Sequence, residues 1–121
     1  EEEGVNEKMA EFINPVAMLG DQMTKFTTEI GFKGMQNPDE VGAAAVDYLR
    51  VAGHLVFGYL FARMAQVALR EIAAGNTDPF YGAKLQTARF YFAKLFPETV
   101  TLMRTARAGS KVLMDTDLAL A

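Results

Sequence analysis

The stretch NPDEVGAAAVDYLRVAGHLVFGYLFARMAQVALREIAAGN, residues 37–76, decides the fold. Its first four residues spell a helix start. Asn37 offers a capping side chain, Pro38 fits the first helical position where no N–H is needed, and Glu40 completes a capping box. Nothing from Val41 to Ala74 stops a helix, and Gly75-Asn76 ends it, with Gly75 suited to the left-handed residue after a C-terminus. Two apolar rows run along this helix: Val41, Ala45, Tyr48, Ala52, Leu55 and Tyr59 form one, Leu49, Val56, Leu60, Met64 and Val67 the other. Together they cover most of the circumference between Val51 and Ala62, the pattern of a helix surrounded by others. Gly42, Gly53, Gly58 and Ala43 to Ala45 predict neighbouring backbones in close approach, since each mid-helix glycine costs about 1 kcal/mol against alanine.

Downstream, Thr77-Asp78-Pro79 starts another helix, with Asp78 as the cap and Pro79 just inside. It runs through Phe90-Tyr91-Phe92 to Phe96, where Pro97 either kinks it or opens a new helix. Gly109-Ser110 marks the next break, followed by a short segment from Lys111 to Leu118. Upstream, Val16, Leu19, Met23, Phe26 and Ile30 recur at three-and-four spacing, so a helix is expected over Val16–Phe32, ended by Gly31 and Gly34. Pro15 argues against a helix continuous across that point. Residues 1–15 are accordingly expected to be a fragment start, a leading helical turn or disordered, and residues 16–121 a single helical domain. The expected architecture is an all-α, antiparallel bundle of three long helices and a short fourth.

Composition narrows the function. At 121 residues the chain can build one core without staples, and its 50 % hydrophobic and 22 % charged residues are those of a folded domain. It contains no cysteine, which excludes disulfides and thiolate chemistry. A net charge of -3 and a pI near 5.1, with Lys and Arg scattered singly, weigh against nucleic acid as a partner. The most apolar run, Val51 to Ala62, is short of the roughly 20 residues of a membrane span, and the acidic start Glu1-Glu2-Glu3 is no export signal. That start lacks an initiator Met, which suggests a piece of a longer polypeptide.

Chemistry is thin. His54 is the one histidine, but no nucleophile is suitably spaced from it, and a hydrogen-bonded core or interface histidine is the plainer reading. Metal ligation would need the paired Glu-x-x-His motifs of di-iron bundles, which the chain lacks. Glu98, Asp39 and Glu40 read as first-turn acids complementing helix dipoles. Consecutive aromatics from Phe90 cannot all face one side of an α-helix, so some are expected on a second surface. Seven methionines could line an adaptable groove for an acyl chain, though Met commonly fills core gaps. Gly31-Phe32-Lys33-Gly34 lacks the full phosphate-loop pattern.

The string from Asn37 to Arg50 resembles the C-terminal extension of long bacterial acyl-CoA dehydrogenases. The likeness continues through Gly53-His54 and Ala62-Arg63-Met64-Ala65, and returns in Phe80-Tyr81-Gly82-Ala83-Lys84-Leu85, in Thr87-Ala88-Arg89-Phe90-Tyr91-Phe92 and in Leu95-Phe96-Pro97-Glu98-Thr99. It spans about residues 20–115. The resemblance implies a parent enzyme, a cytoplasmic flavoprotein, that uses FAD to dehydrogenate acyl-CoA thioesters of fatty acid metabolism. The catalytic glutamate, the flavin-binding stretches and the CoA site belong to earlier domains of that family. None of their motifs matches a position here, so no catalytic, cofactor-binding or metal residue carries over. The implied partners are the dehydrogenase core of the same chain and a sister subunit in a homo-oligomer, with neither nucleic acid nor membrane. The implied role is a non-catalytic accessory domain, with an aromatic and Met-rich surface against the core or subunit interface. The alternative is a free-standing helical module for protein interaction, or for a small ligand around His54, Tyr48 and Tyr59.

Overall fold

The computed structural model describes residues 2–115, with the side chains of residues 2 and 3 left aside. Two 35-residue helices, α1 (Glu2–Gln36) and α2 (Asp39–Ala73), form an antiparallel hairpin. A third, bent segment packs across α2: α3 (Pro79–Phe90), a π-helical turn (Tyr91–Leu95) and α4 (Glu98–Ala106). One further turn, α5 (Lys111–Met114), follows, and the rest of the segment expected to reach Leu118 lies outside the described residues. The chain is an all-α helical bundle, as its sequence indicates.

The hairpin rests on a repeat of seven. On α1 the inward residues are Val5, Met9, Phe12, Val16, Leu19, Met23, Phe26 and Ile30, in alternating steps of four and three. On α2 they are Ala44, Tyr48, Val51, Leu55, Gly58, Ala62, Ala65 and Leu69, in the same rhythm. Such a 3.5-residue period keeps two helices facing along their whole length. Val16 lies on Gly58, and the rings of Phe26 and Tyr48 are 6.0 Å apart. Continuing that antiparallel register sets Met9 by Ala65 and Phe12 by Ala62: bulky α1 side chains fill the space that small α2 residues leave. A Cβ on Gly58 would sit 3.0 Å from Phe96 Cε2 and 3.1 Å from Val16 Cγ2, so this glycine does mark a close approach.

Four expectations need correction. Pro15 does not interrupt α1, residues 2–15 are helical, and the helix runs through Gly31 and Gly34, its expected end, to Gln36. An interior proline costs ~3 kcal/mol, yet Val5, Met9 and Phe12 are each at least 93 % buried, and burying three such side chains returns roughly 1.5–3 kcal/mol apiece. Packing outweighs the proline. Second, α2 is not surrounded: its row Leu49, Val56, Leu60 and Val67 is more than half exposed. Half of the inward row is alanine or glycine, and four of the bulky residues expected inside face outward. Third, nothing lies within 4 Å of where a Cβ would stand on Gly42 or Gly53, so within this chain neither marks a close backbone approach. Fourth, the capping box is not made. Asn37 Oδ1 does accept from the Asp39 N–H at 3.1 Å, but Glu40 reaches Ser110 instead, accepting from its Oγ at 2.6 Å and its N–H at 3.3 Å.

The other punctuation holds. Gly75 has φ +90°, the Asn76 N–H donates to Glu71 O at 3.0 Å and the Gly75 N–H to Ile72 O at 3.1 Å, a complete left-handed helix stop. Asp78 accepts from the Phe80 N–H at 3.0 Å, with Pro79 at the first position of α3. Among the described residues, α2 is the one helix long and apolar enough to cross a membrane, with mean hydropathy 1.2 over an 18-residue window that is 28 % buried. That window exceeds the 12-residue run read from the sequence. An ion pair of Arg107, just after α4, with Glu29 of α1 at 3.1 Å ties those two elements together.

The packing at Gly58 is testable by denaturant unfolding. Gly58→Val should lower stability by about 2–3 kcal/mol through overpacking against Val16 and Phe96. Gly20→Ala, at a mid-helix site with nothing within 4 Å, should raise it by about 1 kcal/mol.

Candidate functional site

The polar side chains converge where α2 meets the π turn. Pro97 has no N–H to offer the Ala93 carbonyl, and its ring would crowd that turn. The chain responds by widening: the Phe96 N–H donates to Tyr91 O at 2.9 Å, a bond to the fifth residue back. The wider turn brings positions five apart onto one face. Tyr91 and Phe96 therefore both point inward, at 4 % and 7 % exposure, with the intervening Phe92 packed against the same core. Phe90 and Leu95 face solvent, so the second surface expected of the aromatic run exists, but it carries one aromatic ring of that run.

Across from this turn stands His54. Its Nε2–H donates to Glu98 Oε2 at 2.8 Å, and Nδ1 shares a 2.9 Å hydrogen bond with the Tyr91 hydroxyl. The Tyr91 hydroxyl is also 3.2 Å from the His54 carbonyl, to which it can donate. The other Glu98 oxygen takes a 2.5 Å ion pair from Arg50. Phe96 closes one edge of the imidazole at 6.3 Å between ring centroids, and Phe61 stacks on Tyr91 at 4.4 Å. The His54 hydrogen bond, helped by Arg50, holds the Glu98 carboxyl below its usual range, with partial burial opposing. Burial pushes the Tyr91 hydroxyl up to about 12. Glu98 sits in the first turn of α4, as its position after Pro97 suggested, but it also ties α4 to α2. Glu40 is likewise lowered, by its two hydrogen bonds from Ser110.

This cluster keeps a phenol protonated and a carboxylate ionised, with the histidine fixed between them. It joins three elements by hydrogen bonds and leaves no buried side-chain polar atom unpartnered among the described residues. Residues proposed to share a ligand are not brought together: Tyr48 bonds Thr27 Oγ1 at 2.7 Å, Tyr59 borders a different groove, and His54 faces Tyr91. No group of three His, Asp or Glu among the described residues could hold a metal. Met9, Met23 and Met103 fill the core, whereas Met18, Met35 and Met114 are exposed. One open groove of about 300 Å³ does contain a methionine, lined by Met9, Ile13, Val16, Ala17, Tyr59 and Arg63 among others.

A family model described as acetyl-CoA dehydrogenase C-terminal like matches residues 1–117, and the chain belongs to that family. No curated protein matches the chain. Acyl-CoA dehydrogenases generally carry FAD, and the starts of α2 and α3 are not free to hold its phosphates. A dinucleotide pyrophosphate wants free N–H groups at a helix start. The start of α2 is taken by the Asn37 side chain and that of α3 by the Asp78 carboxylate, an anion where a phosphate would stand.

The cluster predicts the pH dependence of stability, read from urea unfolding. Tyr91 has a raised folded-state value, so its contribution is complete below pH 10 and is lost as pH climbs towards about 12. Tyr91→Phe should remove that alkaline loss and lower stability at pH 7 by about 1–2 kcal/mol, through the unpaired His54 nitrogen. Glu98 has a lowered value, so its contribution is present above pH 4.5 and fades as pH falls through the folded-state value; Glu98→Gln should flatten that acid limb.

Proposed function

Starting from that family membership, we propose that the chain is the accessory C-terminal domain of a flavin-dependent acyl-CoA dehydrogenase, non-catalytic itself, which completes the enzyme's quaternary packing. In this reading the flavin, the α-proton-abstracting glutamate and the acyl-CoA site lie in the dehydrogenase core of the same polypeptide, in the cytoplasm. The observation that carries it is the outward face of α2. Val46, Leu49, Val56, Phe57, Leu60 and Val67 are each between 54 % and 73 % exposed and lie along one side of one helix. An apolar strip of that extent marks a surface built to be covered. The His54–Glu98–Tyr91 cluster supports the same reading, since its groups are used up in joining α2 to α4.

The docking strip thus differs from the aromatic and Met-rich surface expected from the sequence: it is mainly aliphatic, with Phe57 as its one aromatic. The reading frame preceding Glu1 should encode the flavin-binding dehydrogenase core. In that full-length enzyme, Leu60→Glu should leave flavin content and the fold of each subunit unchanged while weakening subunit assembly in sedimentation velocity. A preceding frame without a dehydrogenase core, or stoichiometric flavin bound to the isolated 121-residue chain, would falsify the proposal.

A further inference from the structure

The groove of about 300 Å³ between α1 and α2, to which neither α3 nor α4 contributes, has two walls of different chemistry. Met9, Ile13 and Ala17, one row of α1, make the first wall apolar, and the seam residues Val16 and Ala62 lie beneath. The second wall is polar. Tyr59, Arg63 and Gln66 follow at steps of four and three along α2, so a phenol, a guanidinium and an amide stand on one side of that helix. Among the described residues none of these three polar groups is engaged in a hydrogen bond or ion pair. No Asp or Glu lines the groove, so the Arg63 charge is set beside apolar surface without a counter-charge.

We propose that this groove binds an amphipathic anion, a carboxylate on an apolar chain. The head is held by Arg63 with Tyr59 and Gln66, and the chain lies along Ile13 and Ala17. The proposal stands apart from the accessory-domain reading, because every residue it uses belongs to the α1–α2 hairpin of this chain.

Charge complementarity selects this occupant. A guanidinium takes a carboxylate through two parallel N–H bonds, and the phenol and the amide offer further donors to the same oxygens. An uncharged apolar molecule leaves the guanidinium unmatched, and a cationic one is repelled by it. The cleft is also formed in advance: Val16 is wedged against Gly58, and Met9 and Ala62 are buried. A preformed apolar cleft with a few convergent polar groups is the usual make-up of a small-ligand site, and 300 Å³ lies at the lower end of such volumes. The other apolar groove of the hairpin shows the contrast. It measures about 400 Å³ beside Ile30, Val41, Ala45 and Leu49, but no charged residue lines it and the Tyr48 hydroxyl is bonded to Thr27. Nothing there, or on the outward strip of α2, selects one occupant over another.

Decanoate, kept below its micelle concentration, is the probe, and NMR shifts of the 121-residue chain are the readout. Decanoate should saturate one site, moving the resonances of Ile13, Ala17, Tyr59 and Arg63 and leaving those of Leu49 and Val56 in place. Decanol and decyltrimethylammonium should each bind at least about tenfold more weakly, because neither can make the charge-assisted bonds. Arg63→Met keeps an apolar stem at this exposed position and removes the charge. It should weaken decanoate at least about tenfold, leave decanol affinity as it was, and unfold at the wild-type temperature. Ala17→Phe fills the groove and should abolish binding of both without moving the His54 resonances. Decanoate that never saturates overturns the proposal, as does equal binding of the three amphiphiles or an Arg63→Met chain that binds decanoate like the wild type. Shifts centred on Leu49 and Val56 overturn it too, since they mark adsorption to the outward strip. If Ala17→Phe prevents assembly of the full-length enzyme, the dehydrogenase core covers the groove, and this proposal falls while the accessory-domain reading stands.

Discussion

Everything in this bundle depends on how closely α1 and α2 approach, and that distance is set where Val16 presses on Gly58. Around Gly58 the hairpin is built as large against small, with Met9, Phe12 and Val16 set against Ala65, Ala62 and Gly58, whereas nearer the loop Met23 and Phe26 meet Val51 and Tyr48. Helices packed this way interdigitate over their full length, so the register is fixed at both ends at once. The ~3 kcal/mol cost of Pro15 is absorbed because the rows on either side of it are already anchored. Outside that seam α2 carries Leu49, Val56, Leu60 and Val67, each more than half exposed.

The third segment is governed by Pro97. A straight α-helix through residues 79–106 would place Tyr91 and Phe96 on different sides, and the core would lose one of them. The π turn lets both face inward, sets the Tyr91 hydroxyl beside His54, and points the first turn of α4 so that Glu98 meets the imidazole. A backbone restriction in one residue thus creates the polar cluster. Because Glu98 is partly exposed, the pair with Arg50 adds little to stability by itself. The half-buried His54 bonds serve chiefly to fix how α4 sits on α2.

The residues that punctuate this chain were legible without coordinates. Gly75, Asp78, Pro79 and Gly109 act through their own backbone or side chain, so their reading transfers directly to the structure. Periodicity was legible only in part. Val16, Leu19, Met23, Phe26 and Ile30 announce themselves by bulk, whereas half of the inward row of α2 is alanine and glycine, which carry almost no hydropathy signal. Its exposed Leu49, Val56, Leu60 and Val67 imitate a core row, since apolar side chains at helical spacing read alike whichever way they face. A strict count of seven would have found both rows; a 3.6-residue period blurs them. The Glu40–Ser110 and Glu98–His54 bonds join residues 70 and 44 positions apart, and nothing local in the sequence announces such pairs.

Glycine placement separates what stability explains from what it does not. Gly58 is needed, because any side chain there meets Phe96 and Val16. Gly42 and Gly53 lie in the same helix, carry the same intrinsic cost, and within the monomer receive no contact in return. Optimising the isolated bundle would replace them with alanine, and would replace Val46, Leu49 and Leu60 with charged residues as well. Under the proposed accessory role, their presence together on one side of one helix is what a covered surface would require. If the proposed accessory role holds, α2 answers two demands on opposite faces, the seam with α1 and the cover of its exposed strip.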